Sequence, residues 1–374
     1  MSPRCTRLLA LVPALALLSL AVPVSSAGTA VTRAATPPTT AAPAVAGAVP
    51  GGTAAATAER RRADRGPFSL AVVPDTQQEV LNPSDPRFSQ RTAWLARNRR
   101  QADLRYVVQT GDLVNWGWLA PSQYAVASTA MTRLERAGVP YSIAPGNHDT
   151  RAVGWDGNGG YGGGAYVDNP ECLQRFSPSQ CQTPTLLRRT DEFNAVFDAS
   201  RFGRVRGAFE RGKVDNVYSA FRAGGLRWMV LTLELYPRAE VVDWAARVVR
   251  RHPRHNVVVA THAYLGGDGS ILQGAEYGST SPQYLYDRVV SRFRNVKMVF
   301  SGHVGEAATR IDRGVHGNKI ASFLTTFHST TTNPVRMVTV RPRRGAVSTR
   351  VEAPATGETF SRYSRVVRGL SFVR

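Results

Sequence analysis

With 374 residues and 43% hydrophobic content, the chain can bury a large core, which excludes a wholly disordered protein. Its formal net charge of +20 invites an anionic partner, yet only Lys213, Lys297 and Lys319 among its 47 basic residues are lysine. The arginines are scattered, with short clusters such as RPRR at 341–344. That pattern argues against a specific nucleic-acid partner and fits a GC-rich coding bias as well as selection for a ligand.

In chain order, the N-terminus MSPRCTRLLALVPALALLSLAVPVSSAGTA comes first. It places Arg4 and Arg7 before an apolar stretch and small residues, the three-part layout of a secretory signal peptide over residues 1–27. An uncleaved anchor is the alternative. Residues 28–66 begin as an Ala/Thr/Pro/Gly/Val tract without periodicity, which cannot offset its own ordering entropy, and end in a charged cluster. We read a disordered linker there. A single domain is expected over 67–374, with an insertion at about 151–216. No later segment is long and apolar enough to span a bilayer. Cys172 and Cys181 remain after signal removal, and their short spacing in an exported chain favours a disulfide.

Apolar, β-branched runs predict strands over 68–73, 105–109, 141–144, 226–233, 256–261 and 296–300. Helical spacing of apolar residues predicts helices over 89–100, 123–137 and 240–251 between them. Gly138 supplies a stop for the second helix. This alternation is that of an α/β domain with largely parallel pairing. After residue 318 it gives way to strands without helices, over 319–325, 336–340 and 347–351, so late antiparallel pairing is expected.

Each predicted parallel strand is followed by a polar group. PDTQ carries Asp75 and Gln77, TGDLVN carries Asp112, and PGNHD carries Asn147, His148 and Asp149. THAY carries His262 and SGHVGE carries His303. The carboxyl ends of such strands are where open α/β sheets bind ligands. Carboxylate and amide oxygens together with imidazole nitrogens suit Mn, Fe, Zn or similar ions. Singly, each residue also fits a turn, a helix cap or a hydrogen-bonded structural role.

In their order and spacing, these motifs resemble those of the calcineurin-like metallophosphoesterases, across about residues 68–355. The resemblance implies two face-to-face β-sheets flanked by helices, a four-layer α-β-β-α sandwich. It implies paired metals, with Asp112 as the bridging carboxylate and Asn147, His262 and His303 completing one site. The other site would take Asp75 and, in place of a histidine, Gln77. The second histidine expected in the last motif is absent, because Gly305 stands there. An all-oxygen weaker site would favour Mn, Mg or Ca. Glu306 and His316 are candidate replacements, and His328 is read as a structural residue or part of the substrate mouth.

The implied activity is a secreted or envelope-located, metal-dependent hydrolysis of phosphate mono- or diesters by a metal-activated water. His148 would act on the phosphoryl or leaving oxygen, and Asp149 would orient it, the alternative for Asp149 being a helix cap. The competing reading is a one-metal scaffold that has lost turnover and binds an anionic envelope polymer.

Overall fold

The computed structural model describes residues 65–153, 170–276 and 278–374. The expected signal peptide, nearly all of the expected linker and the glycine-rich stretch at 156–164 lie outside the described residues. The strands are Phe68–Val73 (β1), Leu104–Gln109 (β2), Tyr141–Ile143 (β3), Val205–Ala208 (β4), Val217–Ala223 (β5), Leu226–Thr232 (β6) and His255–Ala260 (β7). They continue as Val296–Ser301 (β8), Ala307–Arg313 (β9), Lys319–Thr325 (β10), Val335–Arg341 (β11), Ala346–Ala353 (β12), Glu358–Thr359 (β13) and Arg365–Arg368 (β14). The longer helices are Arg87–Asn98 (α1), Pro121–Arg136 (α2) and Ala239–Arg251 (α3).

Two seven-stranded sheets result. One runs β13-β12-β11-β1-β2-β3, with β14 also on β12; the other runs β4-β5-β6-β7-β8-β10-β9. Parallel pairing holds β1 to β2, β2 to β3, β6 to β7, β7 to β8 and β8 to β10, with antiparallel strands on the flanks. The late strands β11 and β12 pair antiparallel, as their sequence predicts. No predicted strand corresponds to β4, β5, β9, β13 or β14. The arginines and half-exposed positions of β4, β5 and β9 dilute the apolar signal, and pairing supplies what composition does not. β4 also brings the end of the predicted insertion into the second sheet.

Alternation along the strands explains the layers. Phe68, Leu70 and Val72 of β1 point between the sheets, joining Tyr106, Trp228, Val258, Met298 and Phe323 in one apolar layer. Ala71 and Val73 point the other way, into a layer with Leu95 of α1 and Met131 and Leu134 of α2. On the far side, Met229, Leu231, Val257 and Val259 meet Val241, Val242, Ala245 and Val248 of α3. The order is therefore helix, sheet, sheet, helix. Truncating a fully buried side chain such as Trp228 to alanine should cost about 3–5 kcal/mol.

Local features bound α2 and α3. Pro121 opens α2 without losing a needed hydrogen bond, and Gly138, at φ 68°, follows its end in the left-handed conformation. At the end of α3, Nδ1 of His252 donates to the Val248 carbonyl, 2.8 Å away. Cys172 and Cys181 are disulfide-bonded. No helix among the described residues is long and apolar enough to cross a membrane.

Candidate metal centre

Because β1, β2, β3, β7 and β8 run in parallel within their sheets, the segments following them gather at one edge of the molecule. Asp75 follows β1, Asp112 follows β2, Asn147 follows β3, His262 follows β7 and His303 follows β8. Two glycines make room. A Cβ on Gly146 would run into Oδ1 of Asp112, and one on Gly302 into Oδ1 of Asp75.

Oδ2 of Asp112 lies 3.0 Å from Nε2 of His262, and Nδ1 of His303 lies 3.1 Å from the same nitrogen. One ligand atom each from Asp112, His262 and His303 falls within 4.8 Å of the others. Nδ1 of His262 donates to the Thr110 carbonyl at 2.7 Å, which leaves Nε2 as the ligating nitrogen. Nε2 of His303 faces Glu276 at 3.7 Å, so Nδ1 is its inward atom. Two imidazole nitrogens beside one carboxylate make an arrangement that positive charge holds together.

Burial would raise the Asp112 carboxyl, but the charges of His262 and His148 hold it well below the usual carboxylate range. For His262 burial works downward, and Asp112 and Asp75 overcome it, carrying the ring up to about 9. The backbone amide of His148 donates to Oδ1 of Asp112 at 3.0 Å, so the Gly146–His148 turn sits directly on that carboxylate. Asn147 is 4% exposed and its Oδ1 has no hydrogen-bond partner. Oδ1 of Asp75 and Oε1 of Gln77 are likewise buried without partners. Orphaned buried oxygens are costly unless something binds them, and amide and carboxylate oxygens are donors that divalent cations accept.

Backbone strain concentrates here as well. Seven non-glycine residues have positive φ among the described residues. Asp112, His303 and His328 carry the centre's side chains, Phe327 precedes His328, and Tyr236 and Glu276 pack on His303. Only Asp103 lies elsewhere. Such conformations persist when their surroundings over-determine them, which is a property of functional sites.

The chain has recognisable relatives. The calcineurin-like phosphoesterase profile matches residues 68–306. The chain belongs to that family. It is 24% identical over 230 residues to an uncharacterized protein of Bacillus subtilis (strain 168), YvnB; the match covers 60% of this chain and 14% of that relative. It is also similar to a dimetal phosphatase from Danio rerio, at 12% identity and a TM-score of 0.46, covering 80% of this chain and 98% of that one.

Against the family's pattern, two expectations need correction. Asp149 does not orient the His148 ring. Nδ1 of His148 instead lies 2.7 Å from the backbone oxygen and 3.0 Å from the side-chain oxygen of Asn115. The Asp149 carboxylate accepts from the amides of Val114 (3.1 Å) and Gly146 (2.9 Å), clamping the β2 and β3 loops together. Burial raises its pKa to about 7. The proposed replacements for the absent histidine also point elsewhere. Glu306 pairs with Arg362 at 2.7 Å, and Nε2 of His316 meets the Arg292 carbonyl.

His328 comes closer to the centre than a structural or mouth-lining role requires. Nε2 of His328 lies 3.0 Å from Oδ2 of Asp75, and ligand atoms of Asp75, Asp112 and His328 fall within 4.8 Å of one another. No motif surrounds His328 in TTFHSTTTNP. Its only sequence signal is that it follows a predicted strand.

Proposed function

We propose that this chain hydrolyses phosphate mono- or diesters, with Asp112, Asn147, His262 and His303 holding a divalent cation. The observation that carries the reading is the approach of Asp112, His262 and His303 within 4.8 Å, on the same edge as a buried, unpartnered oxygen of Asn147. The donor set suits Mn, Fe or Zn. A bound cation supplies Lewis acidity and lowers the pKa of water.

The chain's own residues do the rest. Thr110 fixes the tautomer of His262, and Glu276 stands 3.7 Å from the far ring nitrogen of His303. Asp149 holds the two loops that carry Asp112 and Asn147 in register. With Nδ1 held by Asn115, Nε2 of His148 is the nitrogen left for substrate. Burial keeps this ring's pKa below its ordinary value. An arriving phosphate favours the protonated ring, which then offers a donor to a phosphoryl or leaving oxygen.

The test is turnover of p-nitrophenyl phosphate and bis(p-nitrophenyl) phosphate by the purified protein, after chelation and after Mn addition. Metal-restored hydrolysis of either ester supports the reading; a folded, metal-loaded sample inert towards both would sink it. Export to the envelope rests on residues 1–27, and the Cys172–Cys181 disulfide supports an oxidising compartment. N-terminal sequencing of protein recovered outside the cytoplasm checks it. A second reading, a scaffold binding an anionic envelope polymer, draws support from the opposite end of the strands. A cleft of about 700 Å³ there is lined by Arg105, Arg204, Arg206, Arg222 and Arg227. Retention on an acidic polymer without hydrolysis of either ester would favour that reading.

A further inference from the structure

We propose that His328 is a ligand of a second cation site, with Asp75, Gln77 and the shared Asp112, and that it replaces the imidazole position 305 cannot provide. The inference rests on the metal-dependent reading above and specifies how that centre is built in this chain.

Topology brings His328 to the centre. β10 lies beside β8 in parallel, with Leu324 opposite Ser301, so both strands finish at the same edge. The segment after β10 is then tied to the turn after β8. The Thr326 amide donates to the Glu306 carbonyl at 2.8 Å, and its hydroxyl to the Val304 carbonyl at 2.9 Å. Phe327 packs against Phe360 and Tyr363, with ring centroids 4.9 and 5.7 Å away. Phe327 and His328 stand at φ 74° and 32°, left-handed conformations that a non-glycine residue adopts only where its surroundings hold it there. This packing and these strained dihedrals set Nε2 of His328 3.0 Å from Oδ2 of Asp75.

A simple His–Asp ion pair does not account for the rest. It would occupy Oδ2 of Asp75 and leave Oδ1 of Asp75 and Oε1 of Gln77 buried without partners, on residues 4% and 5% exposed. A cation among them gives both oxygens a partner. Position 305 explains why the imidazole comes from another strand. Gly305 has φ 66°, and a Cβ there would lie 3.0 Å from Cα of Gly267. The Gly267 backbone thus stands against the place where a side chain would begin. The second site thereby becomes three oxygen ligands and one imidazole rather than all oxygen. That mixed set moves its preference from Mg or Ca towards Mn, Fe or Zn.

The test is Mn titration of the metal-stripped protein, followed by calorimetry and electron paramagnetic resonance, for wild type, His328→Ala and His328→Asn. Asparagine tolerates positive φ but is shorter, so it guards against a misfolded alanine variant. We expect wild type to bind two equivalents and give a spin-coupled signal. The variants should keep the first equivalent, bind the second at least about 10-fold more weakly, and give an uncoupled signal; losses of that order follow even from removing outer-shell partners. Wild type binding one equivalent would overturn the inference and leave the phosphoesterase reading standing. So would a folded variant that binds both equivalents as tightly as wild type. Wild type binding none would remove both.

Discussion

The two ends of the parallel strands are opposites. At the carboxyl ends, loops crowd together, oxygens are buried without partners, and φ turns positive at residue after residue. At the amino ends of β2, β6 and β7 lie open clefts of about 700 and 680 Å³ lined by arginines such as Arg222 and Arg227. Those two arginines form no ion pair with a carboxylate among the described residues. The roomy end is therefore the chemically plain one. Volume does not mark the reacting centre here; unsatisfied buried polarity and local strain do.

The largest predicted effect breaks the crowded end. His262→Ala removes the nitrogen that both Asp112 and His303 face, and metal-restored hydrolysis should fall by more than the roughly 100-fold that losing an outer-shell partner costs. Comparable turnover would place the centre elsewhere. His148→Ala sharpens the comparison by separating chemistry from metal binding. We expect kcat to fall roughly 100- to 10,000-fold while Mn affinity changes little, measured by steady-state kinetics beside calorimetry. Asp149→Ala should loosen the clamp between the loops, lowering Mn affinity by about 10- to 100-fold together with kcat. An unchanged affinity would show that the loops hold their register without it.

The amino-terminal end answers with stability rather than rate. Lys297, near the start of β8, is buried, and its ammonium donates to the Arg294 carbonyl. Burial, with the nearby Arg294 charge, lowers its pKa from 10.5 to about 8. Below pH 8 the fold carries a buried charge at a cost. Between about 8 and 10.5 the folded side chain has released its proton and the unfolded one has not, so stability from this group rises with pH. Lys297→Met should therefore be more stable than wild type near pH 7.5 by denaturant unfolding, and the gap should narrow towards pH 10.5. The smallest effect belongs to Arg222→Glu, which should leave ester hydrolysis within about twofold, as surface changes away from a site usually do.

Much of this architecture is legible in the sequence because its central strands are buried on both faces. Runs such as FSLAVV and NVVVA need no alternation to be seen, and the polar motif after each gives its direction. Strand β9, AATRIDR, has one face in solvent and takes its place from pairing with β10, which composition does not encode. The same division holds at the centre. Asp112, Asn147, His262 and His303 each sit in a recognisable motif after a strand. His328 reaches Asp75 only because β10 lies next to β8, a neighbour relation set by the folded sheet. Asp149 was misjudged because adjacency to His148 in sequence suggested contact, whereas the turn sends its carboxylate to two backbone amides.

The central claim is that Asp112, Asn147, His262 and His303 share one divalent cation. Anomalous diffraction from crystals soaked in Mn tests it most directly. The account predicts a peak within bonding distance of an oxygen of Asp112, Oδ1 of Asn147, Nε2 of His262 and Nδ1 of His303. A peak only at other residues, or four side chains turned away from a common point, would contradict it.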